Sequence, residues 1–237
     1  MKTVLGMSVA ALIAGSTAAF AEGLNFSNMY AGLSLGSATS SVESGGFNIE
    51  GGFKNENCET AGICSNKDSR ATGSLTFGLS EVARLSERNT VRVELELTKY
   101  NDADFVTGSF PGGPNPEFFY DLAIENQKAA FVNAYVDFQA TDQITLFGGL
   151  GFGTTQYEVS VDDGVVNGSK DVRNSAYNVG VGVSYAVNPR FELYSQARYV
   201  DFGKADVDIE NFFGSDAGNY TLILKGTEFR TGLRINF

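Results

Sequence analysis

The last eleven residues of the chain read Thr227-Glu-Phe-Arg-Thr-Gly-Leu-Arg-Ile-Asn-Phe237. Odd positions are mainly apolar, and even positions are charged, polar or glycine. Because successive side chains of a β-strand point to opposite faces, this segment predicts a strand with one apolar and one charged face. A strand of this length and alternation suits a membrane barrel, which has lipid outside and a polar interior. A soluble antiparallel sheet alternates in the same way, but free chain ends usually fray and seldom finish on an exposed aromatic residue.

The N-terminal residues have the features of an export signal. Lys2 is basic, residues 4–14 are largely apolar, and residues 19–21 read Ala-Phe-Ala, a small-x-small cleavage motif. The apolar run is too short to cross a membrane as a helix. We therefore predict a signal peptide at residues 1–21 and one barrel domain at residues 22–237, and not a buried N-terminal helix.

Composition excludes several classes of function. The chain has 237 residues, a formal net charge of −11 and no histidine. Nucleic-acid binding requires a basic face and is not expected. Without histidine, the chain has no Ser-His or Cys-His catalysis and no histidine metal site, and membrane-barrel enzymes generally use a catalytic histidine. We expect no enzyme activity, no cofactor and no metal site.

Eight stretches of the chain carry the two-residue period. An even number is what a closed antiparallel barrel needs when both of its ends lie on the same side of the membrane. Only helices and closed barrels satisfy the backbone polar groups in lipid, so the fold class predicted is all-β, an eight-stranded up-and-down transmembrane barrel. The stretches are Met29–Ala38, Ala71–Ser80, Thr90–Tyr100, Ala129–Ala140, Ile144–Tyr157, Ala176–Val187, Phe191–Phe202 and the terminal strand.

The connections between these stretches alternate in length. The second, fourth and sixth stretches are followed by short connections, at residues 81–89, 141–143 and 188–189. The other four connections are long, at about residues 39–70, 101–128, 158–175 and 203–220. Outer-membrane barrels have short periplasmic turns and longer extracellular loops, so we expect four extracellular loops.

The outward-facing aromatic residues divide into two groups by depth, as expected for the two interfaces of a bilayer. If the first strand runs outward, the periplasmic group is Phe138, Tyr185, Phe191 and Phe237, and the outer group is Phe152, Tyr177, Tyr199 and Phe229.

The pattern resembles the small opacity-like and adhesion-like outer-membrane β-barrels, which have an OmpA-type transmembrane barrel. The resemblance covers residues 28–237 and includes the third strand, residues 92–100, which read Arg-Val-Glu-Leu-Glu-Leu-Thr-Lys-Tyr. It implies a location in the outer membrane of a Gram-negative bacterium. It also implies that the alternate residues of the last strand form a signal read by the assembly machinery, namely Phe229, Leu233, Ile235 and Phe237.

Charged residues at the inward-facing positions of the strands predict an ion-pair network in the lumen. An eight-stranded barrel is just wide enough for its side chains to fill, and unpaired buried charges are costly. Four arginines and five carboxylates nearly balance, which favours a salt-bridged plug. A narrow charged pore or a proton path is the alternative. The residues are Arg92, Glu94, Glu96, Asp137, Glu192, Arg198, Glu228, Arg230 and Arg234.

The two cysteines, Cys58 and Cys64, lie in the predicted first loop. Because the cell surface and periplasm are oxidising, we predict a disulfide between them. Acidic residues such as Asp162, Asp206 and Glu210 could attract cations, but they lack the pattern of a calcium loop and are predicted to be solvated loop surface.

Three functions are compatible with these features. The leading one is a surface protein with a structural or adhesion-type role. A small porin-like channel is the alternative, and a soluble periplasmic ligand-binding barrel is the third. The partners expected are outer-membrane lipid and lipopolysaccharide, the outer-membrane assembly machinery and an extracellular ligand at the loops. We expect no nucleic acid and a monomeric barrel.

Overall fold

The computed structural model describes residues 28–48, 67–109, 118–162, 166–211 and 216–237. Nearly all of these residues are in β-strands. No helix in the described part of the chain combines the length and apolar character that a helical membrane crossing requires.

Nine strands follow one another along the described residues. Five of them have 20 to 22 residues each, well above the usual strand length of about 5–6 residues. The strands are β1 (Met29–Asn48), β2 (Lys67–Arg84), β3 (Asn89–Tyr100), β4 (Ala103–Ser109), β5 (Phe118–Gln139), β6 (Ile144–Asp162), β7 (Val166–Ala186), β8 (Phe191–Asn211) and β9 (Asp216–Asn236).

The strands form a closed antiparallel ring. Strand β1 pairs with β2 and β9, and β3 pairs with β2 and β5, so the sheet has no gap in its strand order. Strand β4 also pairs with β5, and only Asn101 and Asp102 separate it from β3. Strands β3 and β4 are therefore two parts of one barrel strand. The ring has eight strand positions, which confirms the predicted eight-stranded up-and-down barrel.

One end of the barrel carries the short turns. Residues 85–88, 140–143 and 187–190 connect β2 to β3, β5 to β6 and β7 to β8. Backbone hydrogen bonds close these turns, for example from Leu85 N to Asn89 O at 2.8 Å and from Val187 N to Phe191 O at 2.9 Å. We call this the turn end, and the sequence argument predicts that it faces the periplasm.

The outer surface next to these turns is an apolar band. Its large apolar side chains are exposed on every barrel strand, including Leu33, Phe77 and Val181. Such a surface is stable when lipid surrounds it, which argues against the soluble periplasmic barrel. All eight aromatic residues predicted for the two belts are exposed on this surface, and they are Phe138, Tyr185, Phe191, Phe237, Phe152, Tyr177, Tyr199 and Phe229.

The predicted extent of the four long loops is wrong. Residues 203–211 belong to β8, residues 118–128 belong to β5, and residues 158–162 belong to β6. The strands thus continue well past the apolar band as a barrel extension, which comprises the strand residues beyond that band on the side away from the short turns. Four shorter connecting segments remain outside the described residues, at 49–66, 110–117, 163–165 and 212–215.

The extension escaped prediction because its hydrophobic pattern is reversed. Val207 and Ile209 are buried inside the barrel, whereas Asp208 and Glu210 are exposed on its outside. Water surrounds the barrel beyond the membrane, so the apolar face turns inward as in a soluble sheet. In sequence, a segment whose outward-facing residues are acidic resembles an exposed loop.

Local irregularities move the apolar residues from the outer to the inner face. In β8, Gly203 has a φ of 83°, and the register with β9 shifts between Asp201 and Lys204. In β5, Asn126 has a φ of 55°, and its backbone N–H donates to Asp102 Oδ1 at 3.1 Å. A bulge adds one residue to one strand, which reverses the side-chain alternation beyond it.

A large apolar core fills the extension. Its fully buried aromatic residues include Phe105, Phe131, Tyr157 and Phe202, and the Tyr100 and Phe202 rings meet edge to face at 5.3 Å. The remaining described members are Ala38, Val42, Ala103, Leu122, Ile124, Ala129, Val159, Val161, Val172, Ala176, Val200, Ala205, Val207, Ile209, Tyr220, Leu222 and Leu224.

The buried core makes a prediction that distinguishes an ordered extension from loops. Replacing Ile209 with Ala should lower the free energy of unfolding by roughly 2–5 kcal/mol, the range for truncating a buried aliphatic side chain. The adjacent exposed change Asp208→Ala should stay within about 0.5 kcal/mol of wild type. Urea unfolding of both variants in one detergent, followed by circular dichroism, measures the difference. Equal midpoints for Ile209→Ala and Asp208→Ala would show that the segment has no core.

Candidate functional site: the charged lumen

The structure brings together the charged residues that were predicted to lie in the lumen. Each of the nine makes at least one ion pair with another of the nine. Seven of them are buried, and Asp137 and Glu192, nearer the turn end, are partly exposed. The set is Arg92, Glu94, Glu96, Asp137, Glu192, Arg198, Glu228, Arg230 and Arg234.

Glu96 occupies the centre of this network. Its Oε1 lies 2.8 Å from Arg198 Nη1 and 2.7 Å from Arg230 Nη1. The Thr98 hydroxyl donates to Oε1 at 2.6 Å, and the Asn133 amide donates to Oε2 at 3.1 Å. The Glu96 side chain is completely buried, so these donors replace the water that an ionised carboxylate would otherwise bind.

Arg92 organises the lumen on the turn-end side of Glu96. Its Nη1 donates to Glu94 Oε2 at 2.8 Å, and its Nε donates to Asp137 Oδ2 at 2.9 Å. The Tyr30 hydroxyl donates to Glu94 at 2.6 Å. The guanidinium also lies 4.4 Å from the centre of the Tyr135 ring, within the range of a cation–π interaction. Both charged and aromatic neighbours therefore hold this arginine.

Arg234 lies closest to the turn end. Its Nη1 donates to Glu192 Oε1 at 2.6 Å, and its guanidinium lies 4.1 Å from the centre of the Tyr194 ring. Strands β8 and β9 place these residues as register partners, because Glu192 pairs with Arg234. The ion pair follows directly from the sheet register.

The network ends where the apolar core of the extension begins. Arg198 Nε donates to Glu228 Oε2 at 2.6 Å, and the Tyr100 hydroxyl donates to Glu228 Oε1 at 2.6 Å. Beyond this layer, Arg70 donates to the side chain of Gln127 and, at 3.1 Å, to the carbonyl oxygen of Asn101. The ring of Tyr100 is itself part of the core, so it joins the two halves of the interior.

A polar cavity of about 460 Å³ opens at the turn end of the lumen. The Tyr30, Arg92 and Arg234 side chains are among those that line it. Several other charged residues surround it, namely Glu81, Arg84, Glu87, Arg88, Asp137 and Glu192.

Some members of the site were missing from the prediction. Tyr30 and Tyr194 are buried in the lumen beside Arg234 and were not among the nine predicted residues. Arg70 and Gln127 were assigned to long connections, whereas they lie in β2 and β5. Continuing the strand alternation through residues 67–70 would have placed Arg70 inside the barrel. Gln127 has the same alternation as Ala129 and Phe131, so extending the fourth stretch by two residues would have placed its side chain inside as well.

The other predicted site residues lie elsewhere. Phe229, Leu233, Ile235 and Phe237 are exposed on the outer surface of the last strand and its terminus. Cys58 and Cys64 lie outside the described residues, and their disulfide stays a prediction. Asp162, Asp206 and Glu210 lie in strands and not in loops.

A closed antiparallel ring with an apolar outer band and an ion-paired interior defines a transmembrane β-barrel. The chain belongs to the Outer membrane protein beta-barrel domain family, which matches residues 7–237. Family membership places the protein in the outer membrane.

Sequence relatives have the same location in their names. Over 104 residues, the chain is 26% identical to the 31 kDa outer-membrane immunogenic protein of Brucella melitensis. The match covers 42% of this chain and 43% of that protein, so it spans less than half the length of the relative. A protein of the same description from Brucella suis matches to the same extent.

Solved structures share the fold at low sequence identity. The outer membrane protease OmpT of Escherichia coli matches with a TM-score of 0.55 and 12% identity, covering 89% of this chain and 97% of that one. The outer membrane protein OprG of Pseudomonas aeruginosa matches with a TM-score of 0.51 and 13% identity, covering 88% of this chain and 95% of that one. At these identities the similarity is one of fold alone.

The position of Glu96 predicts a large effect on stability. In Glu96→Ala, Arg198 and Arg230 lose a shared buried carboxylate, which should cost on the order of 3–5 kcal/mol. Glu210→Ala removes the same charge from an exposed position and serves as the control. Urea titration of the two refolded variants, read by the gel shift between folded and unfolded barrel, compares them. Coincident transitions would mean that water hydrates the two arginines inside the lumen.

Proposed function

We propose that this protein is a non-conducting surface protein of the outer membrane with a structural or adhesion-type role. The observation that carries the proposal is the ordered barrel extension, in which strands rise past the apolar band around a buried core. A core of this kind orders the strands beyond the apolar band, up to the points where the connecting segments at 49–66, 110–117, 163–165 and 212–215 begin. Those segments are the proposed contact points for an extracellular ligand.

The proposal also includes how the protein is exported and assembled in the outer membrane. Residues 1–21 act as a signal peptide that is removed after translocation, as their basic, apolar and small-residue regions indicate. The outward-facing residues of the last strand then guide assembly, with Phe237 at the end of that pattern. Both steps are supported by the sequence features and by family membership.

The filled interior argues against the alternative of a small porin-like channel. An ion would have to cross the Glu96 layer, where Arg198 and Arg230 are already paired, and then the apolar core. Displacing the ion pairs leaves buried charges uncompensated, and an apolar passage offers an ion no ligands. Both barriers lie in series, so a channel would require the interior to rearrange.

The chemistry of the lumen also argues against catalysis. The chain has no histidine, and the Glu96 carboxylate is engaged by four donors in a fully buried position. A general acid or base must reach a substrate proton, which this carboxylate does not. The similarity to OmpT supports a common fold and carries no activity over to this chain.

The name of the Brucella relatives is consistent with surface exposure. Those proteins are described as immunogenic, a property of proteins that immune components encounter. For this chain we infer only that the barrel extension is reachable from outside the cell. The extracellular ligand can be sought among molecules that bind to intact cells.

Site-directed labelling tests the orientation on which this function depends. In a Cys58→Ser/Cys64→Ser background, Asp208→Cys places a thiol on the exposed side of the extension, and Glu87→Cys places one in an exposed turn at the other end. A membrane-impermeant maleimide should label Asp208→Cys on intact cells, and Glu87→Cys only after the outer membrane is permeabilised. The reverse pattern would put the extension in the periplasm and exclude a surface role.

A further inference from the structure

A row of three positive side chains and one glutamine crosses four neighbouring barrel strands on the outer surface. Lys99 of β3 is the register partner of Lys128 of β5. Lys128 is opposite Gln156 of β6, and Gln156 is opposite Arg173 of β7. All four side chains are exposed. We call Lys99, Lys128, Gln156 and Arg173 the cationic row.

The two lysines of this row face each other without a carboxylate between them. Directly paired strand residues have Cβ atoms about 4.5–5.5 Å apart, and like charges at that spacing are destabilising. Within the described part of the chain, neither Lys99 nor Lys128 is in an ion pair. Arg173 Nη2 donates to Gln156 Oε1 at 3.0 Å. An anion above the row would relieve the repulsion.

The cationic row lies just beyond the apolar band. Lys99 is the next outward-facing residue after the exposed Leu97, about 7 Å further along the strand. On β6 and β7, Gln156 and Arg173 are the second outward-facing residues beyond Phe152 and Tyr177, respectively. Lipid chains covering the apolar band therefore bring their headgroups to the level of the row.

An acidic row lies on the far side of the cationic row. Glu125 pairs in register with Glu158, and Glu158 pairs with Asp171. Among the described residues, no ion pair joins these carboxylates to the lysines or to Arg173. An anion attracted by the cationic row is repelled by the acidic row, so it is confined to the membrane boundary.

We propose that the cationic row binds the phosphorylated headgroup of an outer-leaflet lipid whose acyl chains lie on the apolar band. Lysine ammonium groups act as point charges toward phosphate, and the arginine guanidinium can bind two phosphate oxygens at once. The proposal rests on the membrane placement in the proposed function, and it adds a defined lipid site on the β3–β7 side of the barrel.

Two other cations on the outer surface of the extension, Lys170 and Lys204, differ from the row in that each is paired with a carboxylate. Lys204 Nζ lies 3.0 Å from Asp206 Oδ1, and Lys170 Nζ lies 3.9 Å from Asp208 Oδ2. The Thr221 hydroxyl, together with Lys204, holds the pKa of Asp206 below its usual value, so this carboxylate is ionised at neutral pH. Lys170→Gln/Lys204→Gln therefore provides a control that removes the same charge as Lys99→Gln/Lys128→Gln.

The test compares lipid binding by the wild type and the two double variants in one neutral detergent. Each protein is titrated calorimetrically with lipid A carrying its phosphates and with dephosphorylated lipid A. We expect Lys99→Gln/Lys128→Gln to bind the phosphorylated lipid roughly tenfold more weakly than wild type, in line with the contribution of basic residues near an anionic membrane surface. The control should bind it as wild type does, and the dephosphorylated lipid should not distinguish the three proteins.

Two results would overturn the proposal. One is equal affinity of the two double variants for phosphorylated lipid A. The other is displacement of the lipid by millimolar inorganic phosphate, which would mean that the row attracts free anions and not a lipid. The gel shift on heating shows that each protein is a folded barrel, so failure of the lipid site is distinguishable from failure of the barrel to fold. The substituted side chains are all exposed, and folding should be unaffected.

Discussion

Glu96 lies between Arg198 and Arg230 at distances of 2.8 and 2.7 Å, in a part of the lumen from which solvent is excluded. The rest of the interior depends on this arrangement. Arg198 extends the network toward the barrel extension through Glu228, and Glu94 and Arg92 extend it toward the turn end. Because a buried charge without a partner is costly, each residue requires its neighbours. A barrel of eight strand positions brings those neighbours close enough to meet across the lumen.

The interior and the exterior change character together along the barrel axis. Where the outside is apolar, the inside is charged, as with Phe229 and Arg230 on β9. Where the outside is polar, the inside is apolar, as with Asp208 and Ile209 on β8. The first arrangement suits lipid and the second suits water. The bulge at Gly203 is one point at which the chain passes from one arrangement to the other.

The membrane half of this structure could be predicted from the sequence because apolar residues face outward and polar residues face inward along each of its strands. Parity alone placed Glu96, Arg198 and Arg230 on one face of their strands. The pairing among them required the register, which parity does not supply. The extension could not be found in the same way, since its apolar face is the inner one and a bulge shifts the alternation by one residue. Val207 lies beyond such a shift and could not be placed, whereas Gln127 lies on the membrane side of the bulge at Asn126 and keeps the alternation of Ala129.

The central claim is that the lumen is closed, first by ion pairs and then by an apolar core. Recording current across planar bilayers that contain the purified, folded wild-type protein tests this claim most directly, with protein-free bilayers and heat-unfolded protein as controls. A closed lumen predicts no current steps beyond those of the controls at any applied voltage. Reproducible ohmic steps that require the folded barrel would contradict it and would make the channel the leading function.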